Sequence, residues 1–550
     1  MKTNSRISSI EALESRIAPA AIVGNTLNFK DIDGDKVTII FTKGHINSSD
    51  FTFNNAFSTT GPQQLETISL DNTFANTDII TLVKGEPGGD GHVAIGFIDA
   101  PGVALDAVLV HGDVGQISAG FVKLLDIASA GVYGVATQAS GSPSLDSVIT
   151  GKLGTLIVSH NLENAEISAG SISLALVGSM DGGSSISSST GAVGPVSVGG
   201  SVSGGSSITG HTGVGLVTIG ADFRGDITAT TGNITGVKIR GEDEGGITAT
   251  TGNVGPVSIG TTFSDQITAP AGTIGAIKVG GPFSGTVSGD LGVGPVSIGE
   301  TFTGTITSTA GKIGTLKFGG SDDNGKVSGD TGVGLVLVAG DVKSGASITS
   351  SAGPVGTVKI GGSLTEASDI TGESVGPVTI AHDLRGHITS TDGNIGTVRV
   401  GAQIYDGSIE SQADIGSIIV GGTVRDATIL AGAISGTITN TGAVSIGTVV
   451  VGGNWIGSNL SAGVAEGASD DGYGNANDVA VSSSAKVARI IIDGVVSGDP
   501  PTPHFGFDAE SIGLFLIGGE KVPFNPANGV ADGVYALSLP TGNVDVIIAP

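Results

Sequence analysis

One motif, Ile/Val-Gly-x-Val-x-Ile-Gly, returns about every twenty residues through most of this 550-residue chain, and it limits the possible folds more than any other feature. Its first Gly, or the residue aligned with it, falls at Gly194, Gly215, Thr235, Gly255, Gly275, Gly294, Gly314, Gly334, Gly356, Gly376, Gly396 and Gly416. Weaker copies stand at Gly115, Gly134, Gly154 and Ser173 before that run, and at Gly447, Ala488 and Gly513 after it. Register is unclear between residues 417 and 512. A period of this length marks stacked units, because one unit cannot bury its apolar face alone. In the unit that starts at Gly255, Val257 and Ile259 alternate around Ser258, then Phe263, Ile267 and Ala269 follow with polar or Gly residues at each change of direction. That is strand periodicity broken by turn residues. No segment shows the helical period that a crossover helix needs. The expected fold is all-β: a parallel β-solenoid with turns of about twenty residues, right-handed by the rule for parallel connections.

Composition agrees with a packed repeat. Glycine contributes 95 residues, yet 39% of the chain is hydrophobic, so the interior has material to bury. Aromatic residues make up only 4%, which leaves few rings for stacking on bases or sugars. The net charge of −27 opposes a nucleic-acid partner or an anionic membrane surface. There is no cysteine, hence no disulfide and no thiolate site. No run of apolar residues reaches the length of a membrane-spanning helix.

Two finer patterns run inside the repeat. The outward residue between the two buried aliphatics is Lys238, Lys278, Lys317, Lys359 and Arg399 in alternate turns, with Ser258, Ser297, Leu337 and Thr379 between them. Cations on adjacent turns would sit about 4.8 Å apart and repel, so skipping a turn relieves them. Pro256, Pro295 and Pro377 open non-basic strands, where no ladder donor is needed. Phe263, Phe283 and Phe302 in successive turns, with Phe223 nearby, read as an inner ladder of packed rings.

Residues 113–494 are assigned to the solenoid, with a polar insertion at 457–484 projecting from it. Residues 23–112 break the period and read as a β-rich N-terminal cap, and the proline-rich segment 495–550 as a C-terminal cap. Caps are expected because open coil ends expose unpaired strand edges. Residues 1–22 read as an export or sorting segment: Leu13-Glu14-Ser15-Arg16 runs into Ile17-Ala18-Pro19-Ala20-Ala21 after Lys2 and Arg6. This stretch resembles the LEPR-type N-terminal motif of large exported or surface repeat proteins from planctomycete and verrucomicrobial bacteria. It departs from the motif where Ser15 stands in place of Pro. The resemblance implies export.

Asp31, Asp33 and Asp35 are spaced two apart, a pattern that can wrap Ca²⁺ in oxygen ligands, although the rest of an EF-hand loop is missing. Asp470, Asp471, Asn475, Asn477 and Asp478 form a second polar cluster of the same kind. The repeats lack calcium nonapeptides, and no other cofactor is expected. His382 and His387 around Asp383 read as solvated turn residues, and Ser483 with Lys486 as a chance Ser-x-x-Lys match. Thr-x-Thr pairs (Thr228/Thr230, Thr248/Thr250, Thr307/Thr309, Thr389/Thr391) raise an ice-binding face as one alternative. Polysaccharide binding or degradation is another, although uniform turns give little from which to build a cleft. The expectation is a non-catalytic, elongated structural or adhesive protein, extracellular or at the cell surface, whose partners are envelope polysaccharide or other surface proteins.

Overall fold

The computed structural model describes residues 20–54, 62–140, 143–434, 437–438, 442–465, 473, 479–480, 484–498, 505–522, 533–536 and 544–548. It separates into two compact units, residues 1–228 and 229–550. Both are all-β, and the expected parallel β-solenoid is the fold: strands stack in parallel on strands about one repeat away in sequence. No helix among the described residues is long and apolar enough to cross a membrane.

The first unit begins antiparallel. Thr26–Lys30 pairs with Ala21–Val23 on one side and Lys36–Phe41 on the other, and Lys36–Phe41 also pairs with Thr77–Lys84. Their inward faces carry Leu27, Phe29, Val37, Ile39 and Phe41, all buried. Phe41 meets Phe51 and Phe74 with ring centroids 5.9 and 6.1 Å apart, and Phe29 meets Phe53 at 5.3 Å. Parallel stacking starts before residue 113: Leu65 lies against Ile95 and Thr77 against Leu105 on the long, bent strand Val93–Ala130. The next coil is longer than the repeat, with Ser118 against Val148, and the regular spacing is reached only where Asp146 lies against Glu166. The additional residues hold a 3₁₀ turn, Gly134–Thr137. Gly134 is therefore not a repeat position, which corrects the sequence reading: Gly154 stacks on the backbone of Lys123 instead.

In the second unit the ladder is regular. Val237, Val257, Ile277, Val296, Leu316, Val336, Val358, Val378, Val398 and Ile418 align on successive coils, each about one repeat from the last. Each coil offers four inward stations; in one coil they are Val254, the pair Val257 and Ile259, Phe263, and the pair Ile267 and Ala269, all buried. The glycine that ends the motif has a steric reason. A Cβ on Gly260 would lie 1.9 Å from the Arg240 carbonyl oxygen of the coil beneath, and one on Gly280 would lie 2.0 Å from that of Gly260. The chain turns there in contact with its neighbour's backbone. Proline fits the position before a strand because its carbonyl still accepts: Val237 N–H donates to Pro256 O at 3.0 Å and Ile277 N–H to Pro295 O at 2.8 Å.

The Phe column is present, with Phe263 to Phe283 at 4.8 Å and Phe283 to Phe302 at 5.3 Å between centroids, both pairs edge-on. All three rings are fully buried. The column is flanked by two carboxylates, Asp243 beside Phe263 and Asp322 beside Phe302, each with no exposed surface.

The uncertain register after residue 417 comes from longer coils. Ile418 aligns with Val449, Val449 with Ile490, and Ile490 with Phe515, and each of these steps exceeds the regular repeat. The first excess includes the hairpin Ala433–Ile434 with Thr437–Ile438, an insertion the sequence reading missed. The second includes Val464–Ala465 with Val479–Ala480 and lies within the expected insertion at 457–484. Tyr473 from this second insertion is buried against Leu430 and Ala433. Phe505–Ala509 and Phe515–Ile517 stack in parallel on earlier coils, and Val544–Ile548 stacks on Phe505–Ala509. Residues 1–19, the cluster Asp470 to Asp478, Ser483 and the prolines Pro500, Pro501, Pro503, Pro523 and Pro526 lie outside the described residues.

Candidate cation site and adjoining cleft

Asp31, Asp33 and Asp35 form the tight connection between the antiparallel strands Thr26–Lys30 and Lys36–Phe41. The connection closes on itself: the Asp31 carboxyl accepts from Gly34 N–H at 3.1 Å and Asp35 N–H at 2.7 Å, and Gly34 takes a left-handed φ of 107°. Such self-bonding is typical of Asp in a turn. One oxygen from each of the three carboxylates lies within 4.8 Å of the others.

Their environments differ. Asp35 has no exposed surface, and its two oxygens accept from Glu86 N–H and Gly91 N–H, both at 2.6 Å. It pins residues 86–91 over the turn, and a Cβ on Gly89 would lie 1.9 Å from Asp35 Oδ1. Asp33 is exposed and accepts from Asp90 N–H at 2.9 Å. Burial raises the Asp31 pKa to about 8, helped by its hydrogen bond to Asp33 and by that neighbour's charge. The same hydrogen bond holds Asp33 below the usual carboxylate range. At neutral pH the pair shares a proton, Asp31 donating to Asp33. A hard divalent cation takes oxygen ligands of this kind and would displace that proton.

Beside the turn is a cleft of about 380 Å³, lined by Asp31, Asp33, Asn54, Gln64, Asp90, His92 and Tyr133 among others. Asp90 organises this wall: one oxygen accepts from His92 N–H at 2.8 Å and the other from the Tyr133 hydroxyl at 2.9 Å. That bond and the nearby carboxylate charge push the Tyr133 hydroxyl up to about 12. His92 and Tyr133 also line a second hollow of about 230 Å³ with His160 and Asp113. The His92 ring stacks on His111 at 4.9 Å and meets His160 edge-on at 6.3 Å. Asp113 is buried, accepts from Ser129 Oγ at 2.7 Å and Val132 N–H at 3.2 Å, and is raised chiefly by burial.

Sequence reasoning found the Asp31 turn and missed Asp90, His92, Asp113 and Tyr133. They lie apart in a stretch whose coil is longer than the repeat, so no period pointed to their meeting. The available signal was that His92 and His111, each next to a Gly and near a Val, stand about one repeat apart. Among the described residues no other trio of His, Asp or Glu converges as Asp31, Asp33 and Asp35 do. His387 Nδ1 shares a hydrogen bond with Ser408 Oγ at 2.9 Å, and Asp383 accepts from Gln403 N–H at 3.3 Å. In the Thr-x-Thr pairs of the second unit, the first Thr lies in a strand and stacks, as Thr248 does on Thr268 with hydroxyls 3.0 Å apart. The second lies just past the strand, where the following coils place Pro270, Asp290 and Asp330. Comparison with protein-family models, curated proteins and solved structures finds no match to this chain.

Proposed function

We propose that this chain is a non-catalytic structural or adhesive protein of the cell surface or extracellular space, its solenoid serving as a scaffold. The observation that carries this reading is the uniformity of the second unit, where ten aligned strands follow one another at a nearly constant spacing. Catalytic clefts on repeat scaffolds are built from irregular loops, and regular coils present flat, repeated faces instead. The acidic charge favours solubility, and the LEPR-like segment at residues 13–21 favours export. Fractionation of the native host with an antibody against the chain tests the location. Signal in the envelope or medium is expected, and retention in the cytoplasm would overturn the assignment.

The cleft beside the Asp31 turn, with Asn54, Gln64, Asp90 and Tyr133 among its lining residues, favours a second reading, a site for a sugar or other polyhydroxylated ligand. Calorimetric titration of purified protein with acidic and neutral oligosaccharides tests for such a site, which Tyr133→Ala should weaken, and incubation with the polysaccharides tests for cleavage. Release of new reducing ends or unsaturated products would make the chain an enzyme and remove the first reading.

A further inference from the structure

We infer that one face of the second unit is a cationic comb that docks a linear acidic polysaccharide carrying one carboxylate per disaccharide. Register places Lys238, Ser258, Lys278, Ser297, Lys317, Leu337, Lys359, Thr379 and Arg399 in a single row across successive coils. The five cations are exposed, and among the described residues none of them is ion-paired. They recur every second coil, a pitch of about 9.6 Å.

Three observations give the row a partner. First, the whole chain has 51 acidic residues against 24 basic ones, yet no acid occupies this row. Glu300, Asp341 and Asp383 come two or more residues after their strands, toward the corner, leaving the row itself purely cationic. Second, the residues between the cations are mostly short, namely Ser258, Ser297 and Thr379, and Pro256, Pro295 and Pro377 precede them. Except at Leu337, a polymer can therefore lie along the row with only short side chains between its contacts, and the hydroxyls offer hydrogen bonds to it. Third, the pitch suits an extended chain of alternating acidic and uncharged sugars, whose charges recur once per disaccharide. Nucleic acid carries charge far more densely, about one per 1.7 Å of duplex, so most of its phosphates would meet no cation here and would face the acidic remainder of the protein.

Avoidance of repulsion explains why the cations skip a coil, but it does not explain why acids, which would neutralise them, are missing from the row. The inference deepens the proposed surface role by naming a polymer the scaffold would hold. Its test is independent of location, because binding is measured on purified protein. Full-length chain would be titrated at low ionic strength with hyaluronate oligosaccharides, with neutral dextran and with single-stranded DNA, using calorimetry. The triple variant K278S/K317S/K359S copies the residue already present at Ser258 and Ser297, so its thermal midpoint should match the parent. Expected results are hyaluronate binding that weakens with salt, no dextran binding, at least about ten-fold loss in the triple variant, and retention in K278R/K317R/K359R. Failure of the parent to bind hyaluronate, equal binding by the serine variant, or tighter binding of DNA would each overturn the inference. So would parent self-association through the row, seen as a larger species by light scattering that the serine variant abolishes.

Discussion

Asp243 and Asp322 interrupt a column whose next stations hold Phe263, Phe283, Phe302, Val342, Leu364 and Leu384. One oxygen of each accepts a backbone N–H, Gly245 at 3.1 Å and Gly325 at 3.0 Å, and the other oxygen has no partner. Burial is the leading cause of their raised pKa values, about 8 for Asp243 and about 7 for Asp322. A folded state that holds a proton more tightly than the unfolded chain loses stability as that proton leaves. Their contribution is thus complete below about pH 4 and is lost as pH rises to about 7 to 8. Urea midpoints should therefore fall from about pH 5 to about pH 8. Asp243→Leu, which copies Leu364 and Leu384 of the same column, should make the curve less steep, leaving the share of Asp322, and add roughly 1–3 kcal/mol at neutral pH. A parental curve that is already flat would mean these carboxyls are not buried acids. At the Asp31 turn the proton works against a metal. Calcium affinity, measured by calorimetry, should rise as pH increases through about 8, the value at which Asp31 releases its proton, and Asp31→Asn should weaken binding at every pH. Affinity that is independent of pH would show that the ion does not compete for that proton.

At the scale of the coil, the sequence was readable wherever one residue type recurs at one station. The Val-x-Ile strands and the Phe column showed at a spacing near twenty, because stacking puts identical stations in contact and favours the same apolar side chain again, whereas the Lys row showed at twice that spacing because like charges in contact repel. Gly260 and Gly280 were visible for the same reason, although only the structure shows which carbonyl excludes a Cβ. Legibility failed where coils lengthen. Gly134 matched the motif but sits in an excursion, and Asp90, His92, Asp113 and Tyr133 converge across offsets that follow no period. The Phe column also allows a direct energetic test. Phe283 is fully buried between Phe263 and Phe302, so Phe283→Ala should cost about 3–5 kcal/mol, read as a drop in the urea midpoint at unchanged slope. A much smaller loss would mean that neighbouring coils close over the vacated space.

For the molecule as a whole, the two-coil alternation makes deletions of different length behave differently. Excising residues 257–295 would place Val296 on Val237 and Ser297 on Lys238, restoring the pattern with two coils fewer. Excising residues 257–276 would instead place Lys278 beside Lys238, about 4.8 Å away. The first deletion should retain the parental thermal midpoint within a few degrees. The second should lower it at low salt and recover as salt screens the pair, as followed by circular dichroism. Equal behaviour of the two would show that the alternation carries no electrostatic weight.

The near-constant offset between stacked strands also sets the order in which this chain can acquire structure. In the second unit every strand of the row from Val237 to Ile418 finds its partner about one repeat away, so each coil can close on the last as soon as it is synthesised. The antiparallel start is different: Lys36–Phe41 must wait for Thr77–Lys84, and Asp35 for the amide of Gly91, far later in the chain. Closing that longer loop costs more than closing one regular coil, so the antiparallel start is acquired more slowly than the repeat between Val237 and Ile418.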